Sequence, residues 1–120
     1  MNITIKGTRV EISDGVRSLI ETKFSRMADL LKTEEALLTC EIEESLAVER
    51  SGAKYRAEGN LSVNGKLFRA EATGSTLEGA VDQVRDEITR EVQRSQGKAR
   101  RFLKRGGAAL KSMLRGSRPF

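Results

Sequence analysis

Apolar and polar positions change period along this chain in a way that predicts its elements one after another. From Asn2 to Lys6, Ile3 and Ile5 alternate with Thr4 and Lys6, the two-residue repeat of a strand. Ser13 then stands at a helix N-cap with Asp14 in the first turn, and Val16, Ile20, Phe24, Met27 and Leu31 follow at spacings of three or four. That spacing predicts an amphipathic helix over 14–31. From Leu38 the period returns to two, with Leu38, Cys40 and Ile42 on one face and Thr39, Glu41 and Glu43 on the other. A loop is expected around Glu49 to Gly52. Tyr55, Ala57, Leu61 and Val63 mark the inner face of a third strand. Asn64-Gly65 predicts a type I′ hairpin turn, since both of its central positions need positive φ. With those two residues as the turn, Leu61 faces Phe68 and Ala57 faces Ala72, which keeps apolar residues on one side of both strands.

A last helix begins near Ser75 or Thr76 and buries Leu77, Val81, Val84, Ile88 and Val92. Gly97 weakens it, because glycine costs a helix interior ~1 kcal/mol relative to alanine. Gly106-Gly107 is expected to end it, leaving Ala108 to Phe120 too short to hold a helix alone in water. The order is β-α-β-β-β-α. Its first unit implies a parallel crossover, and the next two strands add as an antiparallel meander. The expected fold is α+β: a two-layer sandwich with a four-stranded mixed sheet and both helices on one face. Phe24, Tyr55 and Phe68 belong to the expected core. The other sheet face carries Lys54, Arg56, Glu58, Arg69 and Glu71 and reads as a solvated mixture.

Composition adds a strong charge asymmetry. Residues 1–84 hold 11 Lys and Arg against 14 Asp and Glu, whereas residues 85–120 hold 11 against three. No acid follows Glu91. Cations segregated in this way point to a polyanionic partner. On a helix with about 100° per residue, Arg90, Arg94, Lys98, Arg101 and Arg105 fall within an arc of about 80°, centred about 120° from the apolar stripe. The second helix is thus expected to pack on the sheet and still present a basic ridge, with Lys23 and Arg26 as its neighbours. Arginine outnumbers lysine eight to three after residue 84, which suits bidentate contact with phosphate. With few aromatics outside the core, stacking of splayed bases is disfavoured and recognition by backbone and shape is favoured.

Enzymatic chemistry finds little support. The chain has no histidine for general-base work or a nucleophilic triad. Cys40 is placed on an inner strand face, where a thiol acts as a small apolar group. Glu41 and Glu43 lie on an exposed face rather than in a cleft, and Gly-rich phosphate loops are absent. One cysteine and no histidine leave few ligands for a transition metal, and no cofactor or small-molecule substrate is expected. No apolar run approaches a membrane span or a signal peptide, so a reducing cytoplasm is the expected setting.

The opening MNITIKGTRVEISDGVRSLIETKFSRM, the stretch VNGKLFRAEATGSTLEGAVD and the helix end REVQRSQGK resemble the bacterial ribosome hibernation promoting factors. That family includes the ribosome-associated inhibitor and was once called sigma-54 modulation protein. The resemblance covers about residues 1–98. It implies the β-α-β-β-β-α fold and binding of 16S rRNA in the decoding channel of the small subunit, where mRNA and the A- and P-site tRNAs would lie. It also implies that translation is silenced and idle ribosomes are stored. Arg17, Lys23 and Arg26 match basic positions of the family's first helix, and Arg90, Arg94 and Lys98 match those of its second. Asp29 and Glu87 depart from the pattern, standing where members often carry lysine, and Glu78 stands where an aromatic is usual.

The expected RNA-binding set is therefore Arg17, Lys23, Arg26, Arg90, Arg94, Lys98, Arg101, Lys104 and Arg105. Residues 1–105 are expected to form the binding domain and 106–120 a flexible basic tail. The short form lacks the linker and second domain of longer members, and a monomer is expected off the ribosome. Two other readings stand beside this one. One is a general double-stranded RNA binder, because that module shares an α-β-β-β-α core. The other is a protein-interaction adaptor using the acidic strand face and Leu110, Met113 and Leu114.

Overall fold

A computed structural model describes residues 1–33, 35–46 and 53–116, with side chains described as far as Arg101. Six elements follow in the expected order: β1 (Asn2–Thr8), α1 (Asp14–Leu31), β2 (Leu37–Glu44), β3 (Tyr55–Val63), β4 (Lys66–Gly74) and α2 (Leu77–Gly116). The loop expected around Glu49 to Gly52 lies outside the described residues.

Helix α1 starts where its cap requires. The Ser13 hydroxyl accepts a hydrogen bond from the Val16 amide at 3.2 Å, satisfying a first-turn donor that has no partner within the helix. The helix closes at Lys32, whose φ of 55° is left-handed. Its inward positions Ile20, Phe24 and Met27 are buried. In α2 the cap is Thr76 rather than Ser75: its hydroxyl accepts from the Gly79 amide at 3.0 Å.

The sheet runs β1-β2-β3-β4. β1 pairs parallel to β2, with Ile3 beside Leu38 and Ile5 beside Cys40. The other two pairings are antiparallel. At the hairpin, Asn64 and Gly65 have φ of 51° and 75°, and the register places Leu61 against Phe68 and Ala57 against Ala72. One sheet face supplies the core: Leu38, Cys40, Ile42, Ala57, Leu61, Val63 and Ala70 are buried. α2 lies close over it at Gly59, where an added Cβ would come within 2.8 Å of Val84 Cγ1 and 2.9 Å of Ile88 Cδ1. Val81, Val84, Ile88 and Val92 are buried along α2, and Leu77 is half-buried.

Three expectations need correction. Tyr55 and Phe68 are half-buried, because Tyr55 begins its strand and Phe68 lies on the edge strand β4. The open sheet face is solvated at Lys54, Arg69 and Glu71, as expected, and Glu58 is the exception. Glu58 is only 7 % exposed there, held by Arg56 and Arg69 from β3 and β4. Finally, α2 continues through Gly106-Gly107 to Gly116. Once a helix has formed, each glycine costs ~1 kcal/mol, while the neighbouring Leu103, Lys104, Ala108, Ala109 and Leu110 favour propagation. The chain divides into two compact units, Met1–Arg90 and a second that begins at Glu91.

Candidate nucleic-acid interface

The first unit contains Arg17, Lys23, Arg26 and Arg90. Arg17 and Arg26 are both exposed on α1. Nine residues apart at about 100° each, they stand half a turn from one another and present no common face.

Lys23 is in a different situation. Its Nζ lies 2.8 Å from Glu78 Oε1 and 3.0 Å from Asp82 Oδ1, both on α2, and its side chain is 20 % exposed. The hydrogen bond it donates to Glu78, with the Asp82 carboxylate beside it, raises its pKa above the ordinary lysine value, so the ammonium is firmly charged and already neutralised. Asp82 Oδ1 is also 3.2 Å from Arg85, which reaches Asp86 at 2.8 Å. A chain of alternating charges thus ties α1 to the first turns of α2.

Arg90 faces another way. It lines a polar cleft of about 470 Å³ together with Glu71 and Thr73 of β4 and Gln83, Asp86 and Glu87 of α2. The Gln83 amide donates to the Thr73 carbonyl at 3.4 Å on this side. Lys23 therefore meets α2 on the flank that faces α1, and Arg90 lies on the flank that faces β4. The residues that depart from the family pattern fall into place as well. Glu78 is the partner of Lys23, Glu87 lines the cleft beside Arg90, and Asp29 is exposed on α1.

Within the second unit, Arg94, Lys98 and Arg101 are exposed at spacings of four and three on α2. Arg94 pairs with Glu91 one turn earlier. Both side chains are largely exposed, and such pairs are worth little, so phosphate can displace the carboxylate. Among the described residues, Lys98 and Arg101 have no ion pair. Arg100, which falls outside the arc of the ridge, is exposed too and enlarges the cationic surface. Only its charge type signalled it in the sequence. Lys104 and Arg105 belong to α2, but their side chains lie outside the described residues, as do those of Leu110, Met113 and Leu114.

The opposite sheet face is electrically balanced. Arg9 meets Glu43, Lys54 meets Glu44 at 3.4 Å, and Arg56 meets Glu71 at 2.8 Å. Cys40 is fully buried, and desolvation pushes its thiol up to about 11, so it serves as core packing. No group of His, Cys, Asp and Glu among the described residues is arranged to hold a metal ion. None of the helices searched there is long and apolar enough to cross a membrane.

Comparison with known proteins agrees with this architecture. The chain is 25 % identical over 99 residues to the ribosome hibernation promoting factor of Klebsiella oxytoca, covering 82 % of this chain and 96 % of that one. The factor of the same name from Salmonella typhimurium is 26 % identical over 98 residues, with the same coverage of 82 % and 96 %. Among solved structures, the N-terminal domain of Thermus thermophilus Protein Y superposes with a TM-score of 0.68 at 27 % identity, over 78 % of this chain and 98 % of that one. A ribosomal subunit interface protein from Coxiella burnetii, 19 % identical with a TM-score of 0.63, shares the fold over 81 % of this chain and 99 % of its own. Residues 3–100 match the model of the sigma 54 modulation protein / S30EA ribosomal protein family, and the chain belongs to that family.

Proposed function

We propose that this protein is a cytoplasmic, ribosome-associated factor that silences translation by binding 16S rRNA in the decoding channel of the small subunit. Bound there, it would occupy the path of mRNA and of the A- and P-site tRNAs. Family membership and the hibernation-promoting relatives support the ribosomal partner. The observation that carries the reading is the exposed series Arg90, Arg94, Lys98 and Arg101 along one helix. Arg17 and Arg26 add cations on α1, and Lys104 and Arg105 continue the basic sequence of α2. Residues 1–105 form the binding body in this reading, and the cationic segment 106–120 extends it.

A-form RNA is met chiefly through phosphates and 2′-hydroxyls, and a rigid helix with cations every three or four residues suits that geometry. The balanced ion network of the open sheet face supports the helical side as the contact surface, and weighs against an adaptor that uses an acidic strand face.

Sucrose-gradient sedimentation with purified ribosomes tests the proposal. Co-sedimentation with the small subunit is expected at low salt and should weaken steeply by 200 mM, since each neutralised phosphate contributes ~0.7–0.9 to the slope of log K against log salt. The triple variant Arg90→Glu, Arg94→Glu, Lys98→Glu should lose inhibition of in vitro translation while keeping the wild-type circular dichroism. Retained inhibition would move the site elsewhere. Comparable affinity for arbitrary RNA duplexes would identify a general double-stranded RNA binder instead.

A further inference from the structure

Among the side-chain-described cations of the expected binding set, Lys23 is the only one held by two carboxylates from another helix. Glu78 and Asp82 both reach its ammonium, at 2.8 and 3.0 Å. Arg94, by contrast, has one acidic partner within its own turn, both of them well exposed. Arg85, the first cation on α2, is likewise taken up by Asp82 and Asp86. Arg85 in the opening turns of α2 and Lys23 against them on α1 are therefore both engaged in internal pairs. Glu78 is itself 57 % exposed, so its charge meets any polyanion that approaches this flank.

We infer that Glu78 and Asp82 withhold Lys23 from polyanion contact, with Lys23 acting as a positioning residue between α1 and α2. This inference rests on the polyanion-binding reading above. A phosphate reaching Lys23 must displace a charge-assisted hydrogen bond to Glu78 and an ion pair with Asp82, and leave two carboxylates beside itself, whereas a phosphate reaching Lys98 displaces no pair. The acids thus act as a specificity element. They take the α1–α2 junction out of the contact surface and leave exposed cations such as Arg17 and Arg26 to meet the polyanion.

The decisive variant is Glu78→Gln with Asp82→Asn, which keeps shape and removes charge. Binding is measured across salt concentrations to two probes, purified small ribosomal subunits and heparin. A charge-matched control, Glu11→Gln with Glu35→Gln, removes two exposed acids elsewhere. The decisive variant should bind both probes more tightly, with a slope steeper by ~0.7–0.9, as for one added phosphate contact. Adding Lys23→Met to it should abolish that extra slope. In the background with both acids intact, Lys23→Met should leave the slope unchanged and lower the melting temperature. Its amine should also be reductively methylated more slowly in the wild type than in Glu78→Gln/Asp82→Asn. An unchanged slope in the decisive variant, an equal gain in the control, or a shallower slope for Lys23→Met alone would each overturn the inference. A steeper heparin slope with no binding of any variant to ribosomes would uphold it and refute the ribosomal reading.

Discussion

Gly59 marks the closest approach of helix and sheet, and its missing side chain is what permits it. A methyl group there would overlap Val84 and Ile88, both fully buried. Gly59→Ala should therefore destabilise the fold by about 1–3 kcal/mol through overpacking, read as a lowered urea midpoint. In the sequence, Gly59 is only a gap in the alternation of β3, because the residues it accommodates are 25 and 29 positions away. Asn64 and Gly65 were legible for the opposite reason. A two-residue turn with positive φ is a local demand that few residues meet. Glu58 shows how a tertiary setting overrides a pattern. Burial pushes its carboxyl up, yet hydrogen bonds from Asn60 and Arg56 and the charges of Arg69 and Arg56 outweigh burial and leave it below the ordinary glutamate value. Arg56 lowers Glu71 in the same way. A carboxylate depressed in the folded state contributes stability that is complete above its unfolded pKa of about 4.3 and is lost as pH falls through the folded value. Thermal melts between pH 3 and 7 should show this acid loss in the wild type and a smaller one in Glu58→Gln. Equal acid sensitivity of the two would refute the role given to this network.

At the scale of elements, periodicity placed every helix and strand, since each buries one face and must repeat with its own geometry. The ends were less legible. α1 stops where expected, but α2 outlasts both of its expected weak points, Gly97 and Gly106-Gly107. Glycine signals a helix end only when the chain needs a left-handed residue there, and composition alone does not reveal that need. At Gly97 an added Cβ would meet only Arg101 Nη1 at 3.7 Å, an ordinary contact. Gly97→Ala should thus stabilise α2 by up to about 1 kcal/mol, with increased helical circular dichroism and an unchanged fold. A loss of helicity would show that glycine is required at this position. The candidate interface was legible to the same degree as the helix bearing it. The spacing of Arg90, Arg94 and Lys98 followed from one periodic element, whereas the engagement of Lys23 depended on Glu78, 55 residues later.

For the molecule as a whole, sheet order and chain order coincide, yet the four strands are not equally easy to assemble. β3 and β4 meet across a two-residue turn, and β2 returns on β3 as the next antiparallel neighbour. β1 reaches β2 only after α1 has been traversed, with Asn2 paired to Leu37, and among the described residues it has no neighbour on its other side. Closing that longer loop costs more chain entropy, and the strand gains a single partner in return. The meander should consequently form first, and β1 should be the last strand to join and the first to leave. Native-state hydrogen exchange should find the amides of β1 opening at a lower free energy than those of β3, dividing one continuous sheet into an early-folding nucleus and a late-docking margin.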